Sequence, residues 1–325
     1  MYNRPEQVLE NYELEIKSVA RGRGVYLCET NAGPKMLKEY RGSDEKAEFL
    51  ADMLNFLKQN GLETQGLMRT KEGKIAAADA EETRYLLLDA FQGAECDPRN
   101  RDDIMRGAAA LASLHNISKR YPGNIPEFVQ AEKDSLLKLY EKHNRELNKV
   151  KNYVKMKKKK NEFEVKFTEQ YPHFAEAAHA ITQELKAQEI GEEAFGFCHG
   201  DFNQHNLIYR KEKTAIVGFD SFSYQMQVGD MANFMRKILE KHNWNTGLGF
   251  EIICSYDNVK KLSKEELRLL YCHLAYPEKF WKLANHYYNS HKAWLSGRNI
   301  EKLEKVIEQE ETRTQFLQML YHFTR

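Results

Sequence analysis

Apolar residues recur with a strand-like spacing over the first ninety positions and with a helical spacing after about residue 100. The stretch YELEIKSVARGRGVYLCETNAGPKMLKEYRG holds three short apolar runs, separated by RGRG and by the turn signal TNAGPK. It predicts a meander of three strands. Ser43 or Asp44 then caps a helix over DEKAEFLADMLNFLKQNG, with Phe49, Met53, Leu54 and Leu57 on one face and Gly61 as its stop. TRYLLLDAFQG reads as a buried strand ending in a glycine-containing connector.

From Asp102 the period changes. RDDIMRGAAALASLHNIS is amphipathic and rich in small residues; a charged stretch containing KNYVKMKKKKNEFEVKF follows, and YPHFAEAAHAITQEL is a further helix. Two short strands bracket FCHGDFNQHNLIY and TAIVGFDSF. Only helices are expected afterwards, over GDMANFMRKILEKH, SKEELRLLYCHLA, PEKFWKLANHYYNSHKAWL and NIEKLEKVIEQEETRTQFLQML. No internal repeat is present. The pattern predicts an α+β chain of two lobes: a small antiparallel-sheet lobe with one helix over residues 1–92, and a larger, mainly helical lobe over 93–325. The linker falls near Phe91 to Asp97.

Composition narrows the partners. Forty-nine Lys and Arg against 48 Asp and Glu leave a formal charge of +1, which gives no reason to expect nucleic acid as the main partner. The opening MYNRPEQVLENYELEI has no apolar core of a signal peptide, and no apolar run approaches the length of a membrane span. The five cysteines are scattered with no C-x-x-C pair, as reduced thiols of a cytosolically made protein.

The candidate chemistry lies in FCHGDFNQHNLIY. Asp201 is followed five positions later by Asn206, and fourteen positions after that IVGFD ends in Asp220. Near the front, KMLKEY puts Lys38 at the end of the third strand, Glu48 lies ten positions on in the first helix, and RGRG puts Gly22 and Gly24 in the first hairpin. Phosphoryl transfer from a nucleoside triphosphate needs such a set. A glycine hairpin lets backbone amides approach phosphate oxygens. A lysine neutralises those oxygens and a helix glutamate holds it extended, while an acid orients the incoming hydroxyl. An amide and a second acid supply hard oxygen ligands for Mg²⁺. Each piece alone has a plainer reading. A strand-end lysine is a solvated charge, and Asp201 and Asn206 are turn formers. The order of five such residues on the right elements favours the chemical reading. His199 and His205 are expected to brace the loop through backbone carbonyls rather than bind metal.

HGDFNQHN followed by FD resembles the aminoglycoside phosphotransferase and choline kinase-like superfamily, whose fold is that of protein kinases. Within it, FQGAECD, VGDMANFMRKILEKHNW and LAYPEKFWKLANHYYNS resemble the CotS-related spore coat proteins. The resemblance implies a protein kinase-like two-lobe fold, with ATP and Mg²⁺ as cofactors in the crevice between the lobes and a small-molecule hydroxyl as acceptor. It implies Asp201 as catalytic acid, Asn206 and Asp220 as metal ligands and Lys38 as the phosphate-contacting lysine. Glu48 would be that lysine's partner, with Glu45 one helical turn earlier as the other choice. Leu88, Asp89, Ala90 and Phe91 would be the hinge that meets adenine, and Asp230 an acid that braces the catalytic loop. It also implies cytoplasmic synthesis with assembly into the spore coat and coat proteins as partners. The alternative it leaves open is a structural coat component that keeps the fold with little or no catalysis. Three positions depart from the pattern of protein kinases: the hairpin has no third glycine, Ser221 follows the metal acid, and HG rather than HR precedes Asp201. Lys157 to Lys160 read as a solvated helix end or a mobile loop. Trp281, Tyr287 and Tyr288 read as helix packing before a cation-binding box.

Overall fold

In the computed structural model, which describes residues 5–22, 24–289 and 297–324, the elements follow in chain order. They are α1 (Pro5–Leu9), β1 (Ile16–Arg21), β2 (Tyr26–Thr30), β3 (Gly33–Glu39), α2 (Asp44–Gln59), β4 (Glu63–Thr64), β5 (Ala76–Ala78), β6 (Arg84–Asp89), β7 (Ala94–Glu95) and α3 (Arg101–Ser118). Then come α4 (Ser135–Met156), α5 (Glu162–Lys186), β8 (Phe195–Cys198), β9 (Leu207–Arg210), β10 (Lys213–Ile216), β11 (Ser223–Met226), α6 (Val228–Leu239) and α7 (Thr246–Asp257). The chain closes with α8 (Lys264–Ala275), α9 (Glu278–Asn289), α10 (Gly297–Glu308) and α11 (Glu310–Phe323). Two compact units divide it: Met1–Gln130 with His199–Tyr224, and Ala131–Cys198 with Gln225–Arg325. The first unit thus takes in the 199–224 stretch and α3 beside the residues expected to form a lobe of their own.

In the first unit a five-stranded antiparallel sheet runs β1-β2-β3-β6-β5, and its first three strands are the expected meander. Strand alternation gives β3 two faces. Leu37 is buried with Val8, Leu9 and Tyr12 of the N-terminal segment and with Tyr85 and Leu87. Met36 packs on the other side with Leu86, Leu88 and with Ala47 and Ala51 of α2. Lys38 shares the Met36 side. The Ser43 hydroxyl caps α2 by accepting from the Lys46 N–H at 3.2 Å, and the expected Phe49, Met53, Leu54 and Leu57 are its buried face. A second sheet, β4-β10-β9-β7, pairs β4 parallel to β10 and the others antiparallel. Its edge strand β7 lies in the stretch expected to be a plain linker.

The second unit is mainly helical. Phe163, Phe167 and Phe174 of α5 meet Phe280 of α9 in a buried aromatic core, with the Phe174 and Phe280 rings 4.3 Å apart. The helix expected from Tyr171 starts earlier, at Glu162, behind a reciprocal cap between Asn161 and Glu164, and passes through Pro172. An interior proline costs about 3 kcal/mol. Burial of four aromatic side chains around it, each contributing roughly 1.5–3 kcal/mol, outweighs that. The run expected as one last helix is broken at Gln309 into α10 and α11, and α7 had no expectation. Residues 290–295 of the expected PEKFWKLANHYYNSHKAWL helix lie outside the described residues. Lys157 is not a loose charge: Nζ donates to the buried Glu164 at 2.5 Å and to the Tyr287 hydroxyl at 3.0 Å, while Lys158 to Lys160 are exposed. Among the described residues no helix is long and apolar enough to cross a membrane.

Candidate functional site

The loop from His199 to Asn206 is built on its own side chains. His199 is fully buried; its Nε2 lies 2.8 Å from the Val217 carbonyl, and its Nδ1 accepts from the Asp201 N–H at 3.2 Å. Phe202 within the loop and Leu207 just after it are buried and anchor it. Asn203 Oδ1 accepts from the His205 N–H at 2.9 Å, an Asx-type turn. The Asp201 carbonyl then receives two side-chain amides, Asn203 Nδ2 at 2.8 Å and Asn206 Nδ2 at 2.9 Å. Asp201 itself is left exposed at the front of the loop. Gly200 has a left-handed φ of +82°, and a Cβ there would collide with the Ser221 carbonyl. Only glycine lets the two loops approach so closely.

The second loop follows β10. Gly218 also has φ +82°, and a Cβ on it would fall 2.6 Å from Asn206 Oδ1. With Asn206 Nδ2 held by Asp201, Oδ1 is the amide atom set against this turn. Phe219 is buried and its ring lies 4.5 Å from that of His199, so the next residue, Asp220, is turned outward. There its carboxylate pairs with Lys38 Nζ, a partner 182 positions away in sequence. The two side chains are 29% and 52% exposed, and a pair so open to water contributes no more than about 1 kcal/mol. Lys38 thus pairs with Asp220 and Asn206 bonds Asp201, and the Gly218 turn, two residues before Asp220, lies against Asn206 within the same unit.

Other expected residues lie elsewhere. The Lys38–Glu48 pair is not the one formed: Glu48 receives Arg69 through two hydrogen bonds, at 3.0 and 2.7 Å. Glu45 is exposed; its carboxyl sits below the usual range, chiefly through the backbone N–H and the Ser43 hydroxyl of the helix start. Gly22 and Gly24 form the tip of the first hairpin, closed by the Gly22 N–H on the Val25 carbonyl at 2.8 Å, with Gly24 at φ +74°. Neither is hydrogen-bonded to Lys38, Asn206 or Asp220.

At the expected hinge, Leu88 is a buried sheet residue opposite Met36. The Asp89 N–H donates to the Gly66 carbonyl and the Ala90 N–H to the Pro34 carbonyl, at 3.0 and 3.1 Å. The Asp89 carbonyl accepts from Gln65 Nε2 at 3.1 Å. Burial raises the Asp89 carboxyl, but Lys35 and Lys58, at 2.7 and 3.0 Å, outweigh it and hold the group below the ordinary carboxylate range. Phe91 closes the stretch.

His205 departs from expectation: its Nδ1 meets the Glu95 carboxylate at 2.6 Å rather than a backbone carbonyl. Asp230 is buried in the first turn of α6. Trp281 stacks on His143 at 3.4 Å and donates to Glu146 at 2.8 Å, and Tyr287 bonds Glu164; both are packing groups, as expected. Sequence reasoning missed Gln65, Arg69 and Glu95, whose partners lie 153, 21 and 110 positions away and leave no local signal.

The family model described as spore coat putative kinase YutH matches residues 5–320. Spore coat protein S of Bacillus subtilis (strain 168) is 24% identical over 331 residues, covering 97% of this chain and 93% of the relative. An aminoglycoside phosphotransferase from Alicyclobacillus acidocaldarius has a TM-score of 0.86 at 18% identity, over 100% of this chain and 97% of that one. Amicoumacin kinase hAmiN, solved with AMP-PNP, Ca²⁺ and Ami, has a TM-score of 0.65 at 14% identity, over 96% and 92%. The fold is therefore protein kinase-like.

Proposed function

The chain belongs to the spore coat putative kinase YutH family, and on that premise we propose that it is an ATP- and Mg²⁺-dependent phosphotransferase acting on a hydroxyl of a small molecule. The observation that carries this reading is the meeting of Lys38 with Asp220 while Asn206 Oδ1 lies against the turn that leads to Asp220. Both candidate ligand atoms are hard oxygens, the kind Mg²⁺ prefers. Asn206 presents oxygen because its nitrogen is committed to Asp201. The residues present therefore fit the ion. A bound Mg²⁺ supplies charge neutralisation at the terminal phosphates.

The protein's own side chains do the rest. Lys38 exchanges Asp220 for phosphate oxygens at little cost, because its present pair is exposed. Asp201 orients the acceptor hydroxyl and takes its proton as the new oxygen–phosphorus bond forms and the bond from γ-phosphorus to the β,γ-bridging oxygen breaks. Catalysis then comes mainly from positioning and charge neutralisation. Adenine recognition falls to the Ala90 carbonyl and the Phe91 backbone, since the Asp89 groups and the Ala90 N–H are already bonded. Leu88 lines that place and the Gly22–Gly24 hairpin covers the phosphates. Glu48 is committed to Arg69 in the structure, so this reading gives it no contact with Lys38.

The relative named spore coat protein S supports association with the spore coat and its proteins. The commitment of the Asp89 and Ala90 backbone groups favours a second reading, a coat component that has the fold without turnover. Thermal unfolding with and without ATP and Mg²⁺ separates the two. Stabilisation that grows with ligand concentration and vanishes in Asp220→Ala supports the Mg-nucleotide site that the enzyme reading requires. No shift of the intact protein at millimolar Mg-ATP supports the coat component. A screen of hydroxylated metabolites for ATP consumption then identifies the acceptor.

A further inference from the structure

Between α2 and the strand β6 the chain passes through Glu63 to Gly66, and nearly every polar group of that passage is bonded to one of two distant segments. Thr64 and Gln65 are 1% and 2% exposed. Strand β4 runs parallel to β10, with Glu63 opposite Ala215 and Thr64 opposite Ile216, and the Thr64 hydroxyl donates to the Ile216 carbonyl at 2.9 Å. Gln65 uses both ends of its amide. Its Oε1 accepts from the Gly218 N–H at 2.9 Å, and its Nε2 donates to the Asp89 carbonyl at 3.1 Å. The Gly66 N–H donates to Asp89 Oδ2 at 2.9 Å, where Lys58 also binds.

We infer that Gln65 is a positioning residue, which ties the strand end at Asp89 to the turn at Gly218 and so aims Asn206 and Asp220 at a shared metal ion. This rests on the phosphotransferase reading. The physical case has three parts. Gly218 lies in the left-handed region, so its N–H must be held by a specific acceptor to fix the turn, and Gln65 is the residue that supplies one. Asn206 Oδ1 occupies the space a side chain on the same glycine would take, and the Val217 N–H donates to the Asn206 carbonyl at 3.0 Å, so a turn that shifts at Gly218 moves one ligand relative to the other. A buried amide that loses a partner is costly, so both Gln65 bonds form together or the site rearranges. Gln65 therefore links the place proposed for the base to the place proposed for the metal, although it touches neither. Removing groups that orient metal ligands characteristically weakens metal affinity by 10- to 100-fold.

The test uses the full chain and ADP with and without Mg²⁺. In Gln65→Met, which keeps the length and loses both hydrogen bonds, the Mg²⁺ concentration at half-maximal ADP-dependent thermal stabilisation should rise about tenfold or more. Stabilisation by ADP alone should stay within about twofold of the intact protein. Hydrogen exchange should quicken at the Gly218 amide. Gln65→Asn, whose amide is one methylene short of Gly218, should show the same pattern and replaces the first variant if that one does not fold. An unchanged Mg²⁺ midpoint together with unchanged exchange in a folded variant overturns the inference, and so does an equal loss of ADP binding with and without the metal. If the intact protein shows no Mg²⁺-dependent shift, the phosphotransferase reading fails. Exchange at Gly218 then decides separately whether Gln65 holds the turn.

Discussion

In the first unit Lys38 meets Asp220 with 29% and 52% of their side chains exposed; in the second, Lys260 meets Glu266 at 2.6 Å with 7% and 8% exposed. The contrast extends beyond these two. Glu48 with Arg69 and Glu95 with His205 are open to water, whereas Arg236 with Glu278 and Lys157 with Glu164 have at least one partner largely buried. Water screens the first kind, so each is nearly neutral for folding and easily exchanged for a phosphate or a cation. The second kind has lost its hydration and cannot release a partner without leaving a charge stranded. At these pairs the charge near the proposed metal site is available for ligands and that in the helical core is committed to the fold, although the helical unit also carries exposed pairs such as Lys138 with Glu132.

The hardest test of that contrast is Glu266→Ala. It strands Lys260 and removes the Ser263–Glu266 cap of α8. A loss of about 3–5 kcal/mol in urea unfolding is expected. A loss below about 1 kcal/mol would erase the distinction between the two units.

Asp220→Ala is the opposite case. Mg-nucleotide affinity should fall at least about 100-fold, equivalent to about 2.7 kcal/mol, by calorimetric titration. The ligand-free unfolding free energy should change by less than about 1 kcal/mol.

Acid sharpens the comparison further. His143 and His273, both in the helical unit, each have a buried ring nitrogen without a partner. Burial lowers both to about 4, ahead of the nearby charges. Their folded values lie below the unfolded value near 6.5, so the unfolded chain binds the extra proton, and stability is lost as pH falls from about 6.5 toward 4. At pH 5 the loss should reach at most about 2 kcal/mol per histidine. His143→Gln should flatten that slope, and an unchanged slope would remove His143 from the account.

The smallest effect belongs to Glu48→Ala. Because Glu48 holds Arg69 rather than Lys38, Mg-nucleotide affinity should move less than about twofold, with about 0.2–1 kcal/mol lost from stability. A tenfold loss of affinity would show that Glu48 reaches Lys38 when nucleotide is bound.

What the amino-acid order determined by itself was local. Turn signals and alternation set the meander over residues 16–39, and Ser43 and the apolar spacing set α2. The turn hydrogen bonds of His199 to Asn206 were legible too, the His205 ring and its distant partner Glu95 excepted, because those partners lie within a few residues of one another or in the neighbouring turn. Helix ends were less so: Pro172 reads as a boundary until aromatic burial outweighs it. Tertiary structure alone decided which acid Lys38 meets, that Glu48 turns to Arg69, and that Gln65 joins Asp89 to Gly218. Those choices depend on strand register and on a parallel pairing between β4 and β10, contacts 152 positions apart whose formation no periodicity encodes. A side chain's type is written in the chain, but its partner is selected by which backbones the packed core brings within hydrogen-bond reach.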